Sequence, residues 1–188
     1  MLLQFNFENY KSFKNKVSLD MMAANISENK NHVVSIANNK ILKVAAIYGA
    51  NASGKTNVYE ALEFMKQYVV ESFSFGDENP RDTEKRTDIQ TVPFIFDDKS
   101  AHSPSTYEVY FIDTIDDKQK TYQYGFSVIK NRIIEEWLFT KAKTSSEFKN
   151  VFYREKNQDV EFGSTFTDNS TMRSDSPIKK RTLARPLR

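Results

Sequence analysis

Cysteine is absent from this 188-residue chain, which excludes disulfides and thiolate metal sites and fits a cytoplasmic location. No window approaches about 18 consecutive apolar residues, so no segment reads as a membrane span. The opening Met1-Leu2-Leu3-Gln4-Phe5-Asn6 lacks a basic region followed by a long apolar stretch and does not read as a secretion signal. Histidine is limited to two residues. His102 stands beside Ser103-Pro104 in loop-like sequence, and His32 has no partner that spacing identifies. A strong charge of one sign is missing too. The formal net charge is +2, but residues 173–188 carry six cations against Asp175 alone, which leaves the other 172 residues at −3. A slightly acidic body offers no electrostatic footprint for nucleic acid. The basic arm has no interleaved aromatics and reads as a solvated, disordered tail.

Glycine is scarce, at five residues, yet two of them bound the most informative stretch, Gly49-Ala50-Asn51-Ala52-Ser53-Gly54-Lys55-Thr56. It matches G-x-x-x-x-G-K-[ST], the phosphate-binding loop of nucleoside-triphosphate proteins. Each constraint has its own cause. Gly49 and Gly54 allow turns that a Cβ would block, so successive N–H groups can point at an anion. Lys55 supplies a point charge for the β- and γ-phosphates, and Thr56 offers its hydroxyl to Mg²⁺. A chance match is rare at ordinary glycine usage, and the flanks agree with a real site. Ile41-Leu42-Lys43-Val44-Ala45-Ala46-Ile47-Tyr48 suits a strand buried on both faces of a sheet. Val58, Ala61, Leu62, Met65, Tyr68, Val69 and Phe73 recur at helical spacing over about five turns. Strand, loop and helix N-terminus form the arrangement in which the helix dipole and free N–H groups favour phosphate.

Around the loop the pattern is mostly β. Leu3, Phe5 and Phe7 share one face of a strand over residues 2–8, Asn9-Tyr10-Lys11-Ser12 breaks it, and Val17–Met21 alternates again, giving an antiparallel pair. A short strand at residues 32–36 is closed by Asn38-Asn39. After a polar loop at residues 76–88, alternating aromatic strands are expected at 92–96, 107–111, 122–128, 133–139 and 151–153, as an antiparallel meander. Turn sequences at Asp97-Asp98-Lys99-Ser100 and Ile115-Asp116-Asp117-Lys118 separate them. The aromatics pack that sheet in preference to stacking on bases, given the acidic surroundings. From Thr165 onward the apolar pattern stops.

Phe7-Glu8-Asn9-Tyr10-Lys11-Ser12-Phe13-Lys14, followed by Val17-Ser18-Leu19, resembles the opening strand pair of RecF, chromosome-maintenance (SMC) and overcoming-lysogenization-defect (OLD) ATPases. The loop resembles theirs, including Asn57 after Thr56. Val92-Pro93-Phe94, Tyr122-Gln123-Tyr124-Gly125-Phe126 and Ile134-Glu135-Glu136-Trp137-Leu138 are similar to a bacterial branch of OLD-like, AAA-labelled ATPases that often belong to abortive-infection and other phage-defence systems. The resemblance implies an α/β P-loop NTPase, with residues 1–165 as the N-terminal lobe of an ABC-type ATPase head and residues 166–188 as the basic tail. It also implies ATP and Mg²⁺ as ligands and a dimer that closes on two ATP molecules, with an attached nuclease or other effector. DNA would be involved only indirectly.

Such heads need a signature serine and glycine from a second subunit, and a carboxylate pair at the end of a later strand to hold Mg²⁺ and polarise water. No Leu-Ser-x-Gly segment, no apolar strand ending in Asp-Glu and no switch histidine follows the loop here. Asp97-Asp98 comes nearest, but Pro93 removes a ladder donor from the strand before it, so the pair reads as a turn. The expectation is a truncated or fragmentary head, lacking its C-terminal lobe, that binds ATP without cutting it. Three other readings stand beside it: a nucleotide-responsive interaction module working with a separate C-terminal lobe, a self-sufficient P-loop kinase or hydrolase using Asp97-Asp98, and a non-functional remnant.

Overall fold

The computed structural model describes residues 1–25, 30–71, 89–115, 118–156 and 158–164. The basic tail, the expected loop at 76–88 and Phe73 lie outside them. The opening pair forms as its alternation predicts: β1 (Leu2–Glu8) runs antiparallel to β2 (Val17–Asp20), with Phe5 opposite Leu19 and Phe7 opposite Val17. Chain continuity then leads through a 3₁₀ turn (Lys30–His32) to β3 (Val33–Ile36) and β4 (Asn39–Leu42), which form a two-stranded hairpin, with Met22, just after β2, bridged to Ile41 of β4. Ala37 and Asn38 join them at φ 48° and 68°, the twist that matches a two-residue hairpin.

After the phosphate loop comes α1 (Lys55–Glu71), a helix of 17 residues. The meander follows as β5 (Ser105–Ile115), β6 (Lys118–Ile129), β7 (Arg132–Ala142), β8 (Lys149–Glu155) and a short β9 (Glu161–Phe162). The sheet order is β2-β1-β5-β6-β7-β8-β9, and every pairing among the described residues is antiparallel.

One face of this sheet carries the core. Phe5, Phe7, Tyr107, Phe126 and Val128 pack against Ala61, Phe64, Met65 and Tyr68 of α1; Ala61, Met65 and Tyr68 are positions that helical periodicity marks as apolar, and Phe64, outside that series, joins them. Ring centroids stand 4.8 Å apart for Phe64–Tyr107 and 5.0 Å for Tyr68–Phe126, within the range of favourable aromatic contact. Tyr68 also donates its hydroxyl to Asn131 O at 2.9 Å, tying the far end of α1 to the β6–β7 turn. On the opposite face Asn6 and Glu108 are buried and bonded at 3.0 Å, with Gln123 donating to the same carboxylate at 2.7 Å. A second cluster of Leu3, Ala37, Ile41 and Ile112 seats the β3–β4 hairpin beside the start of β1.

Two expected strands do not form. The run leading into the loop is β only as far as Leu42. Val44–Ala50 has no strand partner among the described residues, and Val44, Ile47 and Tyr48 are 76%, 45% and 90% exposed. Apolar sequence expresses a demand for burial, but a strand exists only where a second strand completes its hydrogen bonds. Residues 92–96 likewise form no ladder, consistent with Pro93, and Val92, Ile95 and Phe96 are exposed. Single bonds hold that segment: Lys11 N to Val92 O at 2.8 Å and Phe94 N to Asn9 Oδ1 at 3.0 Å. The expected turn at Asp97 is a helix start. Asp97 caps the short α2 (Asp98–Ala101) by accepting from Ser100 N at 2.9 Å.

Candidate nucleotide site

The loop sits at the surface where the exposed segment meets α1. Gly49–Ala50 lead in, Asn51–Ala52 turn, and α1 begins at Lys55. Ala52 and Gly54 both have left-handed backbones, at φ 63° and 89°. Left-handed residues alternating with ordinary ones turn consecutive N–H groups towards one concave side, the geometry of an anion nest. The sequence assigns conformational freedom to the two glycines, but only Gly54 uses it. At Gly49 the need is for space: a Cβ there would meet Ser53 Oγ at 2.8 Å. The second left-handed position falls on Ala52, which no glycine marked. Ser53 N bonds back to Ala50 O at 3.3 Å and closes the turn.

Lys55 Nζ donates to Gly49 O at 2.9 Å and to Ala50 O at 2.6 Å. The ammonium is thus folded over the loop it follows and held by carbonyls that cannot neutralise it, so it remains available to an anion. Thr56 is exposed, in the first turn of α1, whose free N–H groups and dipole favour negative charge. Loop, helix N-terminus, lysine and hydroxyl therefore come together as the motif requires. The groups present, loop N–H groups, the Lys55 ammonium and the free N–H groups of the first turn of α1, are of the donor kind that a triphosphate takes. For Mg²⁺ the motif offers the Thr56 hydroxyl; no cluster of three His, Cys, Asp or Glu side chains occurs among the described residues.

Sequence spacing did not reveal what stands behind the loop. The turn between β1 and β2 packs directly on it. A Cβ on Gly54 would lie 2.8 Å from Phe13 Cζ and 3.0 Å from Ser12 Oγ. Asn57 Nδ2 donates to Ser12 Oγ at 2.7 Å, and one helical turn further on Glu60 accepts from Lys11 Nζ at 2.7 Å. That hydrogen bond is the main reason the Lys11 ammonium is held above its ordinary pKa. Asn9 anchors the turn. Its Nδ2 lies within 3.1 Å of Ser100 O, Ser103 O and Pro104 O, while Ser105 Oγ donates to Asn9 O at 2.6 Å.

Asp97 is engaged elsewhere. Hydrogen bonds from Ser100, with Lys14 Nζ at 3.3 Å, hold its carboxylate below the ordinary range. Asp98 begins a helix of four residues, and its carbonyl faces His102 Nδ1 at 2.8 Å. This pair is a capped helix start, not the end of a parallel strand.

A family model described as "AAA domain, putative AbiEii toxin, Type IV TA system" matches residues 44–171, from the exposed segment through the meander. The chain belongs to this family. It is a P-loop protein of the AAA, abortive-infection kind, with the ATP-binding function that such a domain carries, and its sheet and helix are compatible with an α/β P-loop NTPase. Neither a curated protein nor a solved structure matches the chain. No helix among the described residues is long and apolar enough to cross a membrane.

Proposed function

We propose that Gly49–Thr56 binds MgATP, and that this chain supplies the phosphate-gripping lobe of an ABC-type, OLD-like ATPase head. In this reading the N–H groups from Ala50 to Thr56 receive the phosphate oxygens. Lys55 exchanges its loop carbonyls for the β- and γ-phosphates, and Thr56 orients its hydroxyl to Mg²⁺, which neutralises phosphate charge. The observation that carries it is the Lys55 ammonium held on the Gly49 and Ala50 carbonyls of a loop that turns left-handed at Gly54 into α1.

Hydrolysis asks for more than this lobe offers. Water must be polarised by a carboxylate near the γ-phosphate, and of the Asp97-Asp98 pair Asp97 is taken up in capping α2 while Asp98 begins that helix. The partner is a second lobe whose strand pairs with Val44–Tyr48, completing the sheet that this apolar segment lacks. The complete dimeric head then couples hydrolysis to a nuclease or other effector in phage defence, a role in keeping with the abortive-infection description of the family. The exposure of Val44, Ile47 and Tyr48 equally supports a module that docks on a separately encoded lobe.

Phosphate release tests the division of labour. The chain alone is expected to release phosphate from MgATP no faster than its Lys55→Ala variant. Steady turnover that Lys55→Ala abolishes would contradict the split site and favour a self-sufficient hydrolase.

A further inference from the structure

The phosphate loop is braced from outside its own motif. Phe13 and Ser12 meet it at Gly54, and Asn57, the residue after Thr56, reaches back to Ser12. The turn that carries both is firmly seated. Tyr10 is buried between Phe64 and Tyr107, with ring centroids at 6.2 and 5.8 Å, and Phe13 packs edge-on against Phe7 at 5.3 Å. Asn57 and Glu60 are three residues apart and so share one face of α1. Their ties to Ser12 and Lys11 run side by side, with the Ser12 tie nearer the loop. The exposed ends of this arrangement do little for the core, since Ser12 is exposed and Asn57 only half-buried.

Resting on the reading of the loop as a MgATP site, we infer that Ser12 and Asn57 are positioning residues for nucleotide: their bond fixes the first turn of α1 against the β1–β2 turn and so sets where Lys55 and Thr56 stand. Phe13 provides the stop beneath Gly54, and the Ser12–Asn57 bond prevents the helix start from sliding over it. A loop held in its binding shape loses less freedom when phosphate arrives, so the bond contributes to affinity in excess of its contribution to folding.

The test compares MgATP affinity and thermal midpoint in the full chain and its Ser12→Ala, Asn57→Ala, double and Ser12→Thr variants, with Lys55→Ala as reference. Each alanine variant is expected to weaken MgATP about three- to tenfold, the effect of one lost hydrogen bond, with little change in midpoint. The double variant should be no weaker than the singles, because all three lack the same bond, and Ser12→Thr should restore affinity. Unchanged affinity in both single variants, while Lys55→Ala loses binding, would overturn this inference alone. Additive losses in the double variant, or a fall in midpoint that accounts for the loss, would overturn it too. A wild-type chain that binds no MgATP would overturn the reading of the loop along with it.

Discussion

The ring of Phe13 occupies the space that a side chain on Gly54 would need, 2.8 Å from the position of its Cβ. Gly54→Ala therefore meets two costs, a left-handed backbone at φ 89° and a displaced ring. The first alone is about 1–2 kcal/mol. For a chain of this size the sum corresponds to a midpoint lower by roughly 5–10 °C, and MgATP affinity should fall at least about tenfold. Ala52→Gly provides the contrast, because glycine accepts φ 63° freely. Its binding should be close to wild type. Thermal unfolding and nucleotide titration of both variants check the pair.

Asn9 is the most exacting polar residue of the fold. At φ 55° its amide serves three carbonyls while its oxygen accepts from Phe94 N. Asn9→Ala leaves these groups without their partner and should cost about 2–4 kcal/mol, read from the urea midpoint. Asn9→Asp keeps the shape but turns a carboxylate oxygen towards carbonyls. It should be at least as unstable at neutral pH and recover as the pH falls and the carboxyl gains a proton to donate. An Asp variant more stable at pH 7 than at pH 4 would contradict that geometry.

Gly125 and Trp137 face each other across β6 and β7, and the indole lies where a Cβ on Gly125 would stand, 2.6 Å from Trp137 Cε2. The same Cβ would also lie 2.8 Å from Tyr107 O, a backbone atom. Gly125→Ala should destabilise by about 1–3 kcal/mol, as overpacking does. Trp137 is the sole tryptophan, so its emission reports the displacement directly, and an unchanged spectrum would place the ring elsewhere.

Alkaline conditions should unfold the sheet early. Burial raises the Tyr107 and Tyr124 hydroxyls, and burial with nearby Glu108 pushes Tyr110 up to about 12. Between about pH 10, where the unfolded chain loses these protons, and the raised folded values, the folded state holds more protons than the unfolded one. Stability present below pH 10 is then lost as the pH rises. The midpoint should fall steadily above pH 10, less steeply in Tyr110→Phe. A flat profile to pH 12 would show these hydroxyls to be freely solvated.

Much of this architecture is legible in the chain because the information is local. The eight-residue loop declares itself through Gly49, Gly54, Lys55 and Thr56, α1 through its apolar spacing, and the meander through aromatic runs that lie inside the longer strands β5 to β8. Asp97 followed by Ser100 is a capping pattern and could have been read as one. What eluded reading depends on partners distant in sequence. Val44–Tyr48 has the composition of a buried strand, yet pairing is a property of two segments, and the described residues supply only one. Likewise nothing in residues 9–14 states that Phe13 will stop at Gly54, because that contact depends on how α1 crosses β1. Ala52 in a left-handed turn was invisible for a different reason: alanine takes that conformation at a cost of about 1–2 kcal/mol, and its identity does not announce it.

Calorimetric titration of MgATP into the wild-type chain and its Lys55→Ala variant, both verified as folded by their thermal midpoints, probes the central claim most directly. The account predicts saturable binding of one nucleotide per chain to the wild type, weakened at least about tenfold by Lys55→Ala. No binding to the folded wild type, or equal affinity in the two proteins, would contradict it.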